Sequence, residues 1–255
     1  MKGKSNEFTI FGIDFSTNPE QKELIKAIRK DCKRKPLIFV SGDAGTGKTF
    51  AALAASLDLV RQHGAKDHQY QCIYYVREPV EVGHRLGYLK GKEEDKFAPY
   101  LGALMDNYNH LTRDDPNAQR YLRQSSKKGK DDDDLPLIYK KLPVDIIPLA
   151  PEFLRGRSFE DCIIIADEVQ NMTLDEIHTL VTRIGGGVKL ILIGSANQID
   201  VPGQTLLQNA FDTSIEILKD TKLTEHIKLV KPMRSSFVAE FDRLFVEYKQ
   251  KHLNK

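Results

Sequence analysis

The 255-residue chain is 40% hydrophobic and 29% charged, and 38 Lys plus Arg against 36 Asp plus Glu leave a formal charge of +2. This composition supports a buried core, excludes wholesale disorder, and requires any nucleic-acid surface to be local rather than global. Cys32, Cys72 and Cys162 are an odd, scattered set with no C-x-x-C pair, which argues against a disulfide scaffold or zinc site and for a reducing, cytoplasmic setting.

No apolar run is long enough to span a bilayer, and Thr9, Gly12 and Asp14 interrupt the segment a signal peptide would need, so no membrane partner is expected. Asn18-Pro19-Glu20-Gln21 opens a helix, with Asn18 as N-cap, Pro19 at the first helical position and Gln21 where a capping-box partner belongs. Leu24, Ile25 and Ile28 form its apolar stripe, and the basic run over residues 29–35 ends it. Leu37-Ile38-Phe39-Val40 reads as a strand buried on both faces, and residues 51–60 as a helix closed by Gly64. Further strands are predicted at 72–76, 144–149, 162–166, 188–194 and 227–230, with helices over 174–184 and 236–250. In the last helix Phe237, Phe241, Leu244, Phe245 and Tyr248 recur at helical spacing and read as core contacts. Strands alternating with helices predict a mostly parallel sheet covered on both faces. Residues 112–136 break the rhythm: apolar periodicity is weak, and Lys127-Lys128-Gly129-Lys130 abuts four aspartates, as in a flexible charged insertion.

Gly42-Asp43-Ala44-Gly45-Thr46-Gly47-Lys48-Thr49 fits G-x-x-x-x-G-K-[ST], between a buried strand and a helix. The glycines let successive backbone N–H groups turn toward one anion, and the following helix adds its positive end. Lys48 is placed to reach the outer phosphates of a nucleoside triphosphate, and the Thr49 hydroxyl to ligate Mg²⁺. Cys162-Ile163-Ile164-Ile165-Ala166-Asp167-Glu168 supplies an apolar strand ending in two carboxylates, Asp167 for the metal shell and Glu168 to polarise an attacking water. Gln198, after the strand ending Gly194-Ser195, reads either as a γ-phosphate sensor or as part of an ordinary turn.

Taken in order, these pieces resemble the PhoH-like family of P-loop ATPases, related to superfamily 1 helicases. The resemblance rests on the cradle, on Arg77-Glu78-Pro79-Val80-Glu81-Val82-Gly83-His84-Arg85-Leu86-Gly87-Tyr88-Leu89 and on Pro99-Tyr100-Leu101. It continues through Phe153-Leu154-Arg155-Gly156-Arg157-Ser158-Phe159, Asp167-Glu168-Val169-Gln170-Asn171, Thr182-Arg183-Ile184-Gly185 and Gln198-Ile199-Asp200. It implies a three-layer α/β, RecA-like P-loop NTPase core, with helices on both faces of the sheet, as one domain over residues 1–255. It further implies ATP binding and hydrolysis, RNA or single-stranded DNA as substrate, and a homo-oligomeric ring such as a hexamer. Where the family's sensor strand usually ends Gly-Asp, this chain has Gly194-Ser195.

Arginines suited to charge compensation at the γ-phosphate are Arg155 and Arg157, Arg183, and Arg234, which resembles the family's late arginine; each also reads as a surface ion-pair residue. Gln21 reads either as an adenine reader, as in a helicase-type Q motif, or as a helix cap. Arg77, His84, Arg85, Tyr88, Lys90 and Lys92 form a local basic, partly aromatic cluster suited to nucleic acid, or a charged lid neutralised by nearby glutamates. The function expected is a nucleic-acid-linked, helicase-like ATPase. The alternative is a nucleotide-gated assembly ATPase, and a small-molecule kinase is disfavoured because no acceptor-binding element is evident.

Overall fold

The computed structural model describes residues 6–61, 70–79, 98–121, 138, 141–195, 209–233 and 236–252. The chain opens on a hairpin, β1 (Thr9–Ile10) and β2 (Ile13–Asp14), whose turn residues Phe11 and Gly12 both take positive φ, as a two-residue primed turn demands. Helix α1 (Pro19–Arg29) starts at Asn18, whose side chain accepts from the Glu20 and Gln21 amides. The remaining strands are β3 (Leu37–Gly42), β4 (Ile73–Arg77), β5 (Ile146–Leu149), β6 (Ile163–Asp167), β7 (Lys189–Gly194) and β8 (Thr224–Leu229). They form one sheet in the order β5-β4-β6-β7-β3-β8, with every pairing parallel.

Because side chains alternate across a strand, each apolar run feeds two cores. Ile38, Val40, Tyr75, Ile163, Ile165, Ile191 and Ile193 face α1, α2 (Lys48–Arg61) and α3 (Gly102–Leu111). Phe39, Val76, Ile164, Ala166, Leu190 and Leu192 face α4 (Leu174–Thr182) and α5 (Ala210–Leu218). The result is the parallel sheet covered on both faces that the alternation predicts, in the three-layer α/β P-loop NTPase arrangement that the resemblance implies. Helix α2 is buried nearly all round, which its run of Ala51, Ala52, Ala54 and Ala55 permits by letting neighbouring layers approach closely.

Two expectations change. The segment predicted as an insertion from residue 112 is folded as far as Tyr121: Thr112 is buried, residues 118–121 make a 3-10 turn, and the Val144 amide donates to the Tyr121 carbonyl at 2.7 Å. Residues 122–136 lie outside the described residues. The final helix, α6 (Ser236–His252), forms as predicted, but its aromatic stripe is not core: Phe237, Phe241, Leu244, Phe245 and Tyr248 are 49–76% exposed. Helical spacing establishes that an apolar face exists and leaves open what covers it. Among the described residues, no helix is long and apolar enough to cross a membrane.

Lys189 opens β7 fully buried, its Nζ donating to the Lys30 and Lys35 carbonyls at 2.7 and 2.6 Å. Burial pulls its pKa down to about 8, against an opposing pull from Cys32, Glu225 and Asp31. Between that value and the ordinary lysine value of about 10.5 the unfolded chain holds more protons, so this group makes stability rise with pH. Urea unfolding at pH 7 and pH 9.5 should find wild type gaining on the order of 2 kcal/mol relative to Lys189→Met. An unchanged difference would mean the ammonium is not destabilised by burial.

Candidate functional site

The cradle rises from the carboxyl end of β3. Gly42 takes φ 147°, and a Cβ there would lie 2.1 Å from the Leu229 carbonyl oxygen on β8, so only glycine lets the chain leave the sheet at this point. Gly45 and Gly47 follow at φ 77° and 81°. The loop is braced by Thr46 Oγ1 donating to the Asp43 carbonyl at 2.9 Å, and Lys48 Nζ lies over its rim, donating to the Gly42 and Asp43 carbonyls at 2.6 and 3.0 Å. Ala44 and Gly45 form the turn between Asp43 and Thr46.

Gln21 is buried, and its Nε2 donates to the Thr46 carbonyl at 3.3 Å. Its side chain therefore supports the cradle rather than returning to the Asn18 amide, so the reciprocal half of the expected capping box is not made. A Cβ on Gly47 would meet this same amide at 2.4 Å. A second brace comes from the segment after β8: the Met233 amide donates to the Gly45 carbonyl at 2.8 Å, and Glu20 accepts from the Val230 and Lys231 amides.

Asp167 ends β6 with its two carboxylate oxygens sorted. Oδ1 accepts from Thr49 Oγ1 at 2.9 Å and from the Glu168 amide at 3.1 Å. Oδ2 accepts from the buried Tyr75 hydroxyl at 2.7 Å and lies 3.9 Å from Arg77 Nη1. Burial and the Asp167 charge hold the Tyr75 phenol well above its ordinary pKa, so it stays a donor. Two hard oxygens, Thr49 Oγ1 and Asp167 Oδ1, in contact beside a phosphate-type cradle suit Mg²⁺, which takes few protein ligands and completes its shell from phosphate and water. Among the described residues no cluster of three or more His, Cys, Asp or Glu forms a larger metal cage.

Glu168 follows in the left-handed region at φ 54°, a conformation few non-glycine residues adopt, and the chain then makes the 3-10 turn Val169–Asn171. Gln170 Nε2 donates to Glu168 Oε2 at 2.6 Å, while Gln170 Oε1 accepts from the Ser195 amide just past β7 at 3.0 Å. Burial raises the Glu168 pKa, as does the Asp167 charge, whereas the bond from Gln170 and the Arg77 and Lys48 charges lower it.

Residues 42–49, Gln21, Asp167 and Glu168 thus meet at the carboxyl end of the central strands. Arg155 and Arg157 are exposed after the 3-10 turn Pro151–Leu154, and no bond from either to the cradle or the acid pair is found among the described residues. Arg183 caps the far end of α4, beside the Phe159–Ile184 bridge at the amino end of β6 and β7. Gln198, Arg234, His84, Arg85, Tyr88, Lys90 and Lys92 lie outside the described residues. Arg77, expected in a nucleic-acid cluster, instead points its charge at Asp167 and Glu168. Tyr75, the amide bridge made by Gln170 and the Met233 brace had no sequence signal beyond burial or proximity to a motif.

A glycine cradle on one strand and an acid pair on another, with β7 between them, define a P-loop nucleotide-binding fold. The chain belongs to the PhoH-like protein family, whose profile matches residues 15–245. It is similar to Protein PhoH2 of Bacillus subtilis strain 168, at 34% identity over 226 residues covering 89% of this chain and 46% of the relative. It is also similar to a PhoH-like protein of Mycobacterium tuberculosis strain H37Rv (30%, 84% and 54%) and to Protein PhoH of Escherichia coli K12 (32%, 72% and 45%). The chain spans about half the length of these curated relatives.

Proposed function

We propose that this chain binds ATP with Mg²⁺ and hydrolyses it, in a cycle coupled to RNA or single-stranded DNA. The observation that carries this reading is the 2.9 Å contact between Thr49 Oγ1 and Asp167 Oδ1, which joins the cradle to the acid pair. Bound Mg²⁺ would supply charge neutralisation across the phosphates. The residues of the chain supply the rest. Backbone amides of residues 42–49 and Lys48 bind the phosphates, Tyr75 orients Asp167, Glu168 takes the proton of a water, and Gln21 holds the loop from behind. At least one arginine, with Arg155 and Arg157 the best placed in sequence, is proposed to act across a subunit boundary, Arg234 within the subunit, and Gln198 as the γ-phosphate sensor. The test is phosphate release with and without defined RNA and single-stranded DNA. Stimulation is expected in wild type, with both basal and stimulated turnover lost in Lys48→Ala. Turnover indifferent to every nucleic acid, with assembly that follows ATP, would favour the nucleotide-gated assembly reading instead.

The α6 stripe supports self-association. Its five exposed side chains present on the order of 500 Å² of apolar surface, so two stripes face to face would bury about 1,000 Å², near the floor for a specific interface. Phe241→Glu should reduce the assembled mass in light scattering while nucleotide affinity stays unchanged. An unaltered mass would place the contact elsewhere.

A further inference from the structure

Among the described residues, Gln170 is the side chain hydrogen-bonded both to Glu168 and to the Ser195 amide at the exit of β7. It is fully buried, and its amide can sit only one way round: the NH₂ group must face the Glu168 carboxylate and the oxygen must face the Ser195 N–H. Each bond fixes the other. Reversing the amide would set oxygen against carboxylate and NH₂ against N–H, so the pair acts as a two-point mount. Glu168 needs such a mount because its backbone is in the left-handed region and only a three-residue turn follows.

We propose that Gln170 is a positioning residue for water activation. It engages Oε2 of Glu168, leaves Oε1 to receive the proton of the attacking water, and ties that geometry to the end of the strand on which Ser195 follows. This rests on the reading of Glu168 as the proton acceptor. The carboxylate itself does the chemistry, and Gln170 never touches the water or the phosphate.

The experiment is a double-mutant cycle on the full chain, with turnover counted per nucleotide-binding site so that misfolded protein drops out. Gln170→Met keeps the volume and loses both hydrogen bonds; Gln170→Glu keeps an acceptor for Ser195 and sets a second carboxylate against Glu168. Both are expected to lower kcat by about 10- to 100-fold, with KM for Mg·ATP within about threefold, because a carboxylate displaced from attack geometry loses most of its general-base contribution. In a Glu168→Gln background, Gln170→Met should cost no more than about twofold further, since there is no base left to position. A kcat per site within threefold of wild type for Gln170→Met, or an equal loss in both backgrounds, overturns the proposal. Wild-type turnover by Glu168→Gln, or no turnover by wild type itself, would instead remove the underlying reading and this proposal with it.

Discussion

Glu168→Gln is expected to lower ATP turnover by about 10²- to 10⁴-fold, the usual contribution of a positioned general base, with nucleotide affinity changed only a few fold. The substitution is nearly isosteric and removes only the proposed proton acceptor. Every contact that would hold nucleotide survives it: the cradle glycines, the Lys48 ammonium over its rim, and the Thr49–Asp167 contact. The environment of Glu168 is suited to the task, since burial and the neighbouring Asp167 raise its proton affinity while the Gln170 bond keeps the ionised form accessible. Phosphate release together with binding of a fluorescent ATP analogue separates the two effects. Turnover within tenfold of wild type would place water activation on another group.

The second large effect concerns folding. Arg61 ends α2, and its Nε donates to Asp145 Oδ2 at 2.6 Å, with only 5% and 7% of the two side chains exposed. Its Nη2 donates to the Tyr108 hydroxyl at 3.2 Å, and the guanidinium lies 3.8 Å from the Tyr121 ring centroid with Phe11 and Tyr108 beyond. One cation therefore gathers the first hairpin, α3, the 3-10 turn at residues 118–121 and the approach to edge strand β5. Arg61→Ala should cost about 3–5 kcal/mol in denaturant unfolding, because it strands a buried carboxylate as well as removing the cation. Asp145→Ala made in that background should cost much less than Asp145→Ala alone. Additive losses would show the pair to be uncoupled.

Much of this molecule was legible in its residues. Continuous apolar runs read as central parallel strands, and the glycine spacing together with an apolar strand ending in Asp167-Glu168 located the two halves of the candidate site. What periodicity could not convey was which polar atoms meet. Tyr75 looks like any buried aromatic until β4 is paired with β6, and only the turn after Glu168 brings Gln170 to Ser195. Gln21 stood at a capping position, yet its side chain is long enough to reach Thr46, and a local rule cannot foresee a tertiary acceptor 25 residues away. No motif or spacing in the sequence singles out Arg61, yet its guanidinium lies against the Tyr121 ring and ties residues beyond 112 to the fold. The α6 stripe is exposed rather than core for the converse reason, since spacing reports a face and not its neighbour.

The place of β7 between β3 and β6 has a consequence for the whole scaffold. Two interstrand repeats, about 10 Å in all, set the gauge between glycine turn and acid tip. That gauge is written in main-chain hydrogen bonds, so no side-chain exchange can widen or narrow it. Substitutions at the lips above the strands can reshape the site, while the sheet holds the span they bridge.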